Sequence, residues 1–497
     1  MKVAVRTDAS VQMGFGHLRR CVSLAQALRE TGAEVRFLTR ALGVGSEALL
    51  EEHGFHNPIT LPAPISGFEP DPTISHSAWA EVSQQRDIDE TITSLGGWAP
   101  DWLVVDHYAL NANWHDAVRD AIGCRIAVID DLADRDLSTD LLIDHNFHPD
   151  HRHKYAARLA RPARGLYGPR YALLAPAFAR SPSYAFSPQV RSIGIFMGGS
   201  DAPNFSELAL EAVFAAGFDG DVEVVTTSAN PHLDRLRART ANRQNVSLVC
   251  DLPDLSGFFS RHDLQIGAGG GATWERCCIG VPAILLVAAK NQVEVVTELA
   301  SQKVVAEPEA PNVESLASLL KSMIEDSELR RELAANSAAL VDGQGALRVA
   351  LAMLASELKV RPVTQCDARA LFDWRNAVEN RRMMNNQEEL VWANHIDWLD
   401  RVLRDKRRLL FIGEVGGQAV GSIRFDIGED GVAEPSILLD PSFHGLGLGP
   451  YLLGAGEAMT GASTFHAVVL KRNRASQVLF ERAGYAPTGP ESWRKVL

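Results

Sequence analysis

Residues 3–31 read VAVRTDASVQMGFGHLRRCVSLAQALRET, and the fold class follows from how this stretch is punctuated. Val3–Arg6 is a short apolar strand. It enters a turn carrying Gly14 and Gly16. Leu18, Cys21, Leu24, Ala25 and Leu28 then recur at helical spacing as far as Thr31. Glu34–Thr39 reads as the next strand. Trp102–Asp106 and Ile126–Asp130 are apolar runs that end in acidic residues, as strands buried on both faces of a parallel sheet do. Alternating strand and helix predicts a doubly wound α/β domain with its site at the carboxyl ends of the strands.

The chain has 497 residues, too many for one hydrophobic core. Pro169, Pro176, Pro182 and Pro188 break the periodicity between Tyr167 and Pro188, which reads as a linker. A second α/β pattern follows, with strands at Ser192–Phe196, Val222–Thr226, Val246–Val249, Leu264–Ile266 and Ala283–Val287. Val313–Glu357 is mostly helical. The chain restarts near Arg361–Pro362, with the boundary expected in Leu358–Thr364. Two helices precede strands at Leu409–Val415, Gln418–Asp426 and Pro435–Leu439. The expected domains are 1–170, 185–357 and 361–497.

A hydrophobic content of 46% with 22% charged residues describes packed domains. The net charge of −13 argues against broad binding to nucleic acid or anionic membranes, so a phosphate site must be local. No apolar run reaches the ~20 residues of a membrane span, and no signal peptide is apparent, which predicts a cytoplasmic protein. The six cysteines have no zinc spacing and read as buried free thiols; no metal is expected.

Within DASVQMGFGHLRR, residues 8–20, the dinucleotide fingerprint fails. Arg19 stands where its third glycine belongs, and the second strand ends in Thr39-Arg40 rather than an acid. What remains is His17 at a glycine-relieved helix start beside Asp8. It is either a structural histidine or, oriented by Asp8 and neutral, a general base.

Two further stretches suit a nucleotide. FMGGSDAPN, residues 196–204, takes a strand into a glycine turn at Gly199. IGAGGGATWE, residues 266–275, takes a strand through three glycines into a helix opening near Ala272. Free N–H groups at Gly270, Gly271 and Ala272 suit a diphosphate, Thr273 can add a hydroxyl, and Glu275 suits ribose hydroxyls. Asn291 and Gln292 follow the next strand and are expected in the same cleft.

At this point the front half resembles the two-lobed, GT-B type nucleotide-sugar hydrolases of pseudaminic acid biosynthesis. The matching segments run in order: RTDASVQMGFGHLRRCVSLAQAL, VVDHYALN, VIDDLADR, LLIDHN, GPRYALL, FMGGSDAPN, IGAGGGATWERCCIGVPAILL and KNQ. The resemblance implies two Rossmann-like lobes and an inverting hydrolysis. Water attacks the anomeric carbon of UDP-linked 2,4-diacetamido-2,4,6-trideoxy-β-L-altropyranose, releasing UDP and free sugar. It places His17 as base, with Asp8 in the segment beside it, and Tyr108 and Asn291 near the sugar. It also places Gly14, Gly16, Gly199, Gly270–Thr273, Glu275 and Gln292 around the UDP.

In the tail, LDPSFHGLGLGPYLL, residues 439–453, ends a strand and opens a helix through alternating glycines. Bared N–H groups there suit a pyrophosphate. The stretch resembles the GNAT acetyltransferases, an α+β fold. The implied acetyl-CoA contacts are Leu439, His444, Gly445, Leu446, Gly447, Leu448 and Gly449, with Asn473, Ser476 and Phe480 in the second half of the motif. His444 departs from the family's Gln or Arg. Phe480 stands where a tyrosine proton donor is usual; either another group serves, with Tyr451 and Tyr485 as candidates, or the thiolate leaves unprotonated. Trp374-Arg375-Asn376 and the stretch to Trp398 resemble the acetyltransferase of the same pathway, and Glu434 is a candidate base acting through water. The expected substrates are therefore water, acetyl-CoA and a UDP-linked 4-amino or 4-acetamido 6-deoxy sugar. Two other readings of the front half stay open: a glycosyltransferase, and a non-catalytic sugar-nucleotide binding module.

Overall fold

The structure is a computed structural model, and it describes residues 1–65, 67–241 and 243–497. The chain divides into two compact units, Met1–Arg29 with Ala33–Leu347, and Arg348–Leu497 with Glu30–Gly32.

The first unit contains two parallel sheets. One is formed by β1 (Lys2–Thr7), β2 (Glu34–Arg40), β3 (Ile59–Leu61), β4 (Trp102–Asp106), β5 (Arg125–Ile129), β6 (Leu141–Asp144) and β7 (Arg164–Tyr167), in the order β3-β2-β1-β4-β5-β6-β7. Every pairing is parallel. The chain winds outward from β1, then reverses to β4. The carboxyl ends of β1 and β4 therefore flank a crevice, the place where such sheets bind ligands. β4 and β5 are closed into an apolar core with Trp114, Val118 and Tyr155.

The second sheet repeats the logic. It consists of β8 (Ser192–Phe196), β9 (Asp221–Thr226), β10 (Val246–Cys250), β11 (Leu264–Ala268) and β12 (Ala283–Leu286), in the order β10-β9-β8-β11-β12, all parallel. Its reversal lies between β8 and β11, so the two glycine turns, 197–204 and 269–271, open side by side. Apolar faces on both sides bury Ile195, Ile266 and Ile284 against one set of helices and Phe259, Cys277 and Leu285 against the other. The stretch expected as a linker contains two short helical turns, Pro169–Tyr171 and Pro176–Arg180.

The second unit holds a mixed sheet of β13 (Lys359–Pro362), β14 (Arg408–Val415), β15 (Gln418–Ile427), β16 (Ala433–Leu439), β17 (Thr464–Val468), β18 (Ala486–Pro487) and β19 (Ser492–Val496). The order is β13-β14-β15-β16-β17-β19-β18. β13 falls within the expected boundary, Leu358–Thr364, whereas the compact units divide earlier, between Leu347 and Arg348. Only β16 and β17 run parallel, and they pair at a single position, Ala433 with Phe465, before diverging.

Among the described residues no helix is long and apolar enough to cross a membrane. All six cysteines are free, and Cys366, expected to be buried, is exposed.

Candidate active site

His17 is the second residue of helix Gly16–Glu30 and is nearly buried, 8% exposed. Gly14, at φ +69, turns the chain so that this helix starts at the end of β1. The His17 Nδ1 lies 2.6 Å from Asp106 Oδ1, at the end of β4. A carboxylate only accepts, so Nδ1 carries a proton, and in the neutral ring Nε2 is then the acceptor. The same oxygen receives Arg20 Nη2 at 2.6 Å, and Arg20 Nε donates to Oδ2 at 2.6 Å. Arg20 Nη2 is also 3.1 Å from His17 Nδ1. The shorter carboxylate contact decides the tautomer, because two acceptors do not approach to that distance. Burial would raise the Asp106 carboxyl, but the charge of Arg20 and the hydrogen bonds from Arg20 and His17 hold it far below the usual range.

The expected contact between Asp8 and His17 is not made. Asp8 takes Arg6 Nη1 at 2.5 Å and the Arg40 amide at 2.7 Å, and His107 Nε2 lies 3.3 Å away. Arg6 and Arg40 both continue to Asp87 at 2.7 Å. Side chains two apart on a strand share a face. Asp8 therefore follows Arg6 into this sealed network, and the ring is oriented by Asp106 instead.

An aromatic wall surrounds His17. Tyr108 stands edge-on at 4.6 Å between ring centroids, and Trp79 at 5.8 Å. The Tyr108 hydroxyl donates to Asp131 Oδ1. Asp131 Oδ2 accepts Asn146 Nδ2 at 2.7 Å, and Asn146 Oδ1 accepts Trp274 Nε1 at 3.1 Å. This polar chain runs from the His17 cluster to the helix that follows the second lobe's triple glycine. His145 is buried beside the cluster, its Nδ1 has no hydrogen-bond partner among the described residues, and burial with the nearby Arg20 pushes it down to about 4. Asp106, Arg20, Asp131, His145 and Asn146 were not singled out from the sequence. Their signal was present: a strand-terminal acid, and the DHN that ends β6.

In the second lobe, helix Ala272–Ile279 opens without a side-chain cap; the Thr273 and Trp274 N–H groups bond the Gly270 and Gly271 carbonyls at 2.9 and 3.1 Å, and those of Gly270, Gly271 and Ala272 carry no such bond among the described residues. Thr273 Oγ1 is buried there with no hydrogen-bond partner among the described residues. Gln292 lies against the loop, its amide 3.7 Å from where a Gly270 Cβ would be. Asn291 stands exposed on the turn Lys290–Gln292. Gly199 flanks Thr227, whose hydroxyl donates to its carbonyl at 2.5 Å. The helix after Gly199 is already capped from within. Asp201 accepts the N–H groups of Phe205 and Ser206 at 2.8 and 2.9 Å. Of the two helix starts facing the crevice, the one after Gly271 is therefore the open one. Glu275 is half-buried one turn in; burial pushes its carboxyl up to about 7, opposed by Arg276 and by Arg19 of the first lobe.

In the second unit, Leu439 ends β16 on the arm that β17 has left, so the Glu434–Leu438 edge has no strand partner on that side among the described residues. Such an edge suits an extended amide-bearing chain. Gly445 and Gly447, at φ +81 and +64, then bring the chain to helix Gly449–Glu457, while Leu446 and Leu448 are sealed in the core. His444 Nε2 lies 3.3 Å from the Leu439 carbonyl. Asn473 caps the next helix by accepting the Ser476 N–H at 3.0 Å. Phe480 is buried against Tyr485, whose hydroxyl donates to Glu457 at 2.7 Å. That commitment removes Tyr485 as a free proton donor; Tyr451 is 43% exposed. Glu434 is exposed at the closed end of the split. The indole of Trp374 donates to Asp440 Oδ2 at 2.9 Å.

Among the described residues no group of three or more His, Cys, Asp or Glu side chains is placed to hold a metal ion.

Residues 357–486 match the acetyltransferase (GNAT) domain family, so the second unit carries an acetyltransferase domain, and the match implies acetyl-CoA as its co-substrate. The first unit has the GT-B fold: it superposes on MurG of Acinetobacter baumannii with a TM-score of 0.50 at 14% identity, over 70% of this chain and 98% of that one. By sequence the chain is 23% identical to the UDP-2,4-diacetamido-2,4,6-trideoxy-beta-L-altropyranose hydrolase of Campylobacter jejuni, over 61% of this chain and 97% of that protein. It is 21% identical to the uncharacterized protein MJ1062 of Methanocaldococcus jannaschii over 98% of this chain and 97% of that one, a match that spans both units.

Proposed function

We propose that the first unit hydrolyses a UDP-linked diacetamido-6-deoxy sugar and that the second acetylates the 4-amino group of its precursor. The observation that carries the hydrolase is the His17–Asp106 pair: Nδ1 is tied to a buried carboxylate at 2.6 Å and Nε2 is left as acceptor. Water positioned by His17 gives its proton to Nε2 as its oxygen attacks the anomeric carbon from the face opposite the nucleotide. The bond from that carbon to the β-phosphate oxygen breaks, and UDP leaves with the electron pair. The imidazolium so formed is stabilised by Asp106, and the configuration inverts. The open helix start at Gly270–Thr273 holds the diphosphate, Glu275 the ribose, and Tyr108 with Asn291 the sugar. The named activity of the Campylobacter relative supports this reading.

In the acetyltransferase, the pantetheine amides extend the free edge of β16, and the turn Gly445–Gly449 holds the pyrophosphate. The acceptor amine attacks the thioester carbonyl and gives up a proton through water to Glu434, the C–S bond breaks, and CoA leaves as thiolate.

The test supplies the full chain with acetyl-CoA and the 4-amino UDP-sugar. His17→Ala should abolish UDP release and leave CoA thiol release intact; equal loss of both sinks the two-site reading. Time-resolved NMR should find free sugar of inverted configuration with no acceptor added. UDP release that requires an added acceptor would establish a transferase instead, and binding with no UDP release at all would establish a binding module.

A further inference from the structure

Among the described residues, four arginines are less than 2% exposed: Arg6, Arg40, Arg276 and Arg330. Three have evident counterparts. Arg6 and Arg40 share the Asp87 carboxylate. Arg330 donates to the carbonyls of Met323 and Ile324, where helix Val313–Glu325 ends and its dipole is negative, and to that of Pro188.

Arg276 is different. Its Nη2 donates to the Phe196 carbonyl at 2.6 Å, and its Nη1 reaches the Ala268 carbonyl only at 3.5 Å. Its Nε is buried with no hydrogen-bond partner among the described residues, as are those of Arg40 and Arg330, and its guanidinium carbon lies 5.0 Å from the centroid of the Phe259 ring. No carboxylate of the described residues forms an ion pair with it, and its neighbour Glu275 is itself held toward the protonated form. Burial drives the Arg276 guanidinium down to about 10. A buried cation left without a counter-charge is expensive.

The place it occupies explains why it is there. Phe196 and Ala268 end β8 and β11, the strands that run into the two glycine turns. Space for the guanidinium is made by Gly267, inside β11, where a Cβ would stand 1.9 Å from Arg276 Nη2. No turn requires a glycine at that point. The cation thus lies against the backbone of β11 just before the loop in which the N–H groups of Gly270, Gly271 and Ala272 and the Thr273 hydroxyl have no hydrogen-bond partner among the described residues.

We infer that Arg276 is the buried counter-charge of the bound diphosphate, acting through the glycine loop and not by contact. This rests on the nucleotide reading of the first unit. The phosphates contact N–H groups and Thr273; Arg276 supplies net positive charge from a region of low dielectric, where its field is weakly screened. It is a positioning residue that makes the site selective for the charged part of the nucleotide.

Calorimetric titration of the full chain with UDP and with uridine tests this. Arg276→Met should weaken UDP about tenfold or more, roughly 1.4 kcal/mol, and leave uridine within about twofold. Arg276→Lys, which keeps the charge, should restore most of the UDP affinity. Gly267→Ala, which displaces the guanidinium, should act like Arg276→Met. Equal weakening of UDP and uridine, or unchanged UDP affinity, overturns the inference. Should Arg276→Met fail to fold, the same comparison in Gly267→Ala and Arg276→Lys decides it. A wild-type chain that binds uridine but gains nothing from the diphosphate also overturns it, whereas one that binds neither refutes the nucleotide reading itself.

Discussion

If Glu275 holds the ribose as proposed, nucleotide binding should depend on pH, and the sense of the effect follows from the surroundings of this carboxyl. In the free protein, burial raises this carboxyl to about 7. Ribose hydroxyls donating to it favour the ionised form and draw the group back toward its ordinary ~4.5. Binding then releases a proton, and affinity rises with pH. With those two values, linkage gives an affinity about 70-fold weaker at pH 5 than at pH 8, and about 0.9 proton released per ligand at pH 6. Uridine is the proper probe, because the terminal phosphate of UDP titrates near 6 and would add its own slope. Titration calorimetry in buffers of different ionisation enthalpy counts the protons directly. Glu275→Gln should bind uridine with no pH dependence between 5 and 8, at the level the wild type shows at low pH. Affinity for uridine that is flat with pH in the wild type, or that improves on acidification, would refute the assignment of Glu275 to the ribose.

Asp106→Asn should cut UDP release by about 10²–10⁴, because the amide can donate to His17 Nδ1 and shift the proton to Nε2, where the base is needed. The same change leaves Arg20 without its carboxylate and should lower stability by about 3–5 kcal/mol in denaturant melts; full activity in a folded Asp106→Asn variant contradicts the pair. Acid should unfold the first unit in a definite window. Against burial, Arg6 holds Asp8 and Asp87 low, and Arg20 does the same for Asp106 and Asp131. The unfolded chain takes up those protons near pH 4 and the folded chain does not, so this stabilisation is complete above about pH 4 and drains away below it. A melting temperature that climbs as pH falls from 5 to 3 would contradict this. Tyr485→Phe should leave the pH profile of acetyl transfer unchanged, since its hydroxyl serves Glu457, while costing about 1.5–3 kcal/mol of stability in the same melts. A lost alkaline limb in that profile would restore Tyr485 as the proton donor.

What could be read from the chain, and what could not, divides along physical lines. The cores of β1, β4, β8 and β11 were legible because a buried parallel strand is an uninterrupted apolar run, and the helix after β1 because its apolar residues repeat at 3.6. β3, β6 and β7 were not anticipated: three or four residues carry no period. The glycine turns were legible because a strand that stops in glycine and restarts as helix bares N–H groups whatever surrounds it. The partner of His17 was the instructive miss. Asp8 is nine residues from it and Asp106 eighty-nine, so proximity in sequence favoured the wrong acid. The parallel ladder sets Thr7 opposite Asp106 and brings the distant acid to the end of β1. Alternation along the strand meanwhile commits Asp8 to the face of Arg6, a sealed cation that demands it. The same contrast marks the second lobe. Gly269, Gly270 and Gly271 announce themselves as a loop, but Gly267 sits within a strand, where glycine is unfavourable, and only the guanidinium of Arg276 behind it accounts for its choice. A glycine that turn chemistry does not need therefore points to a close approach, and here the approaching group carries a charge.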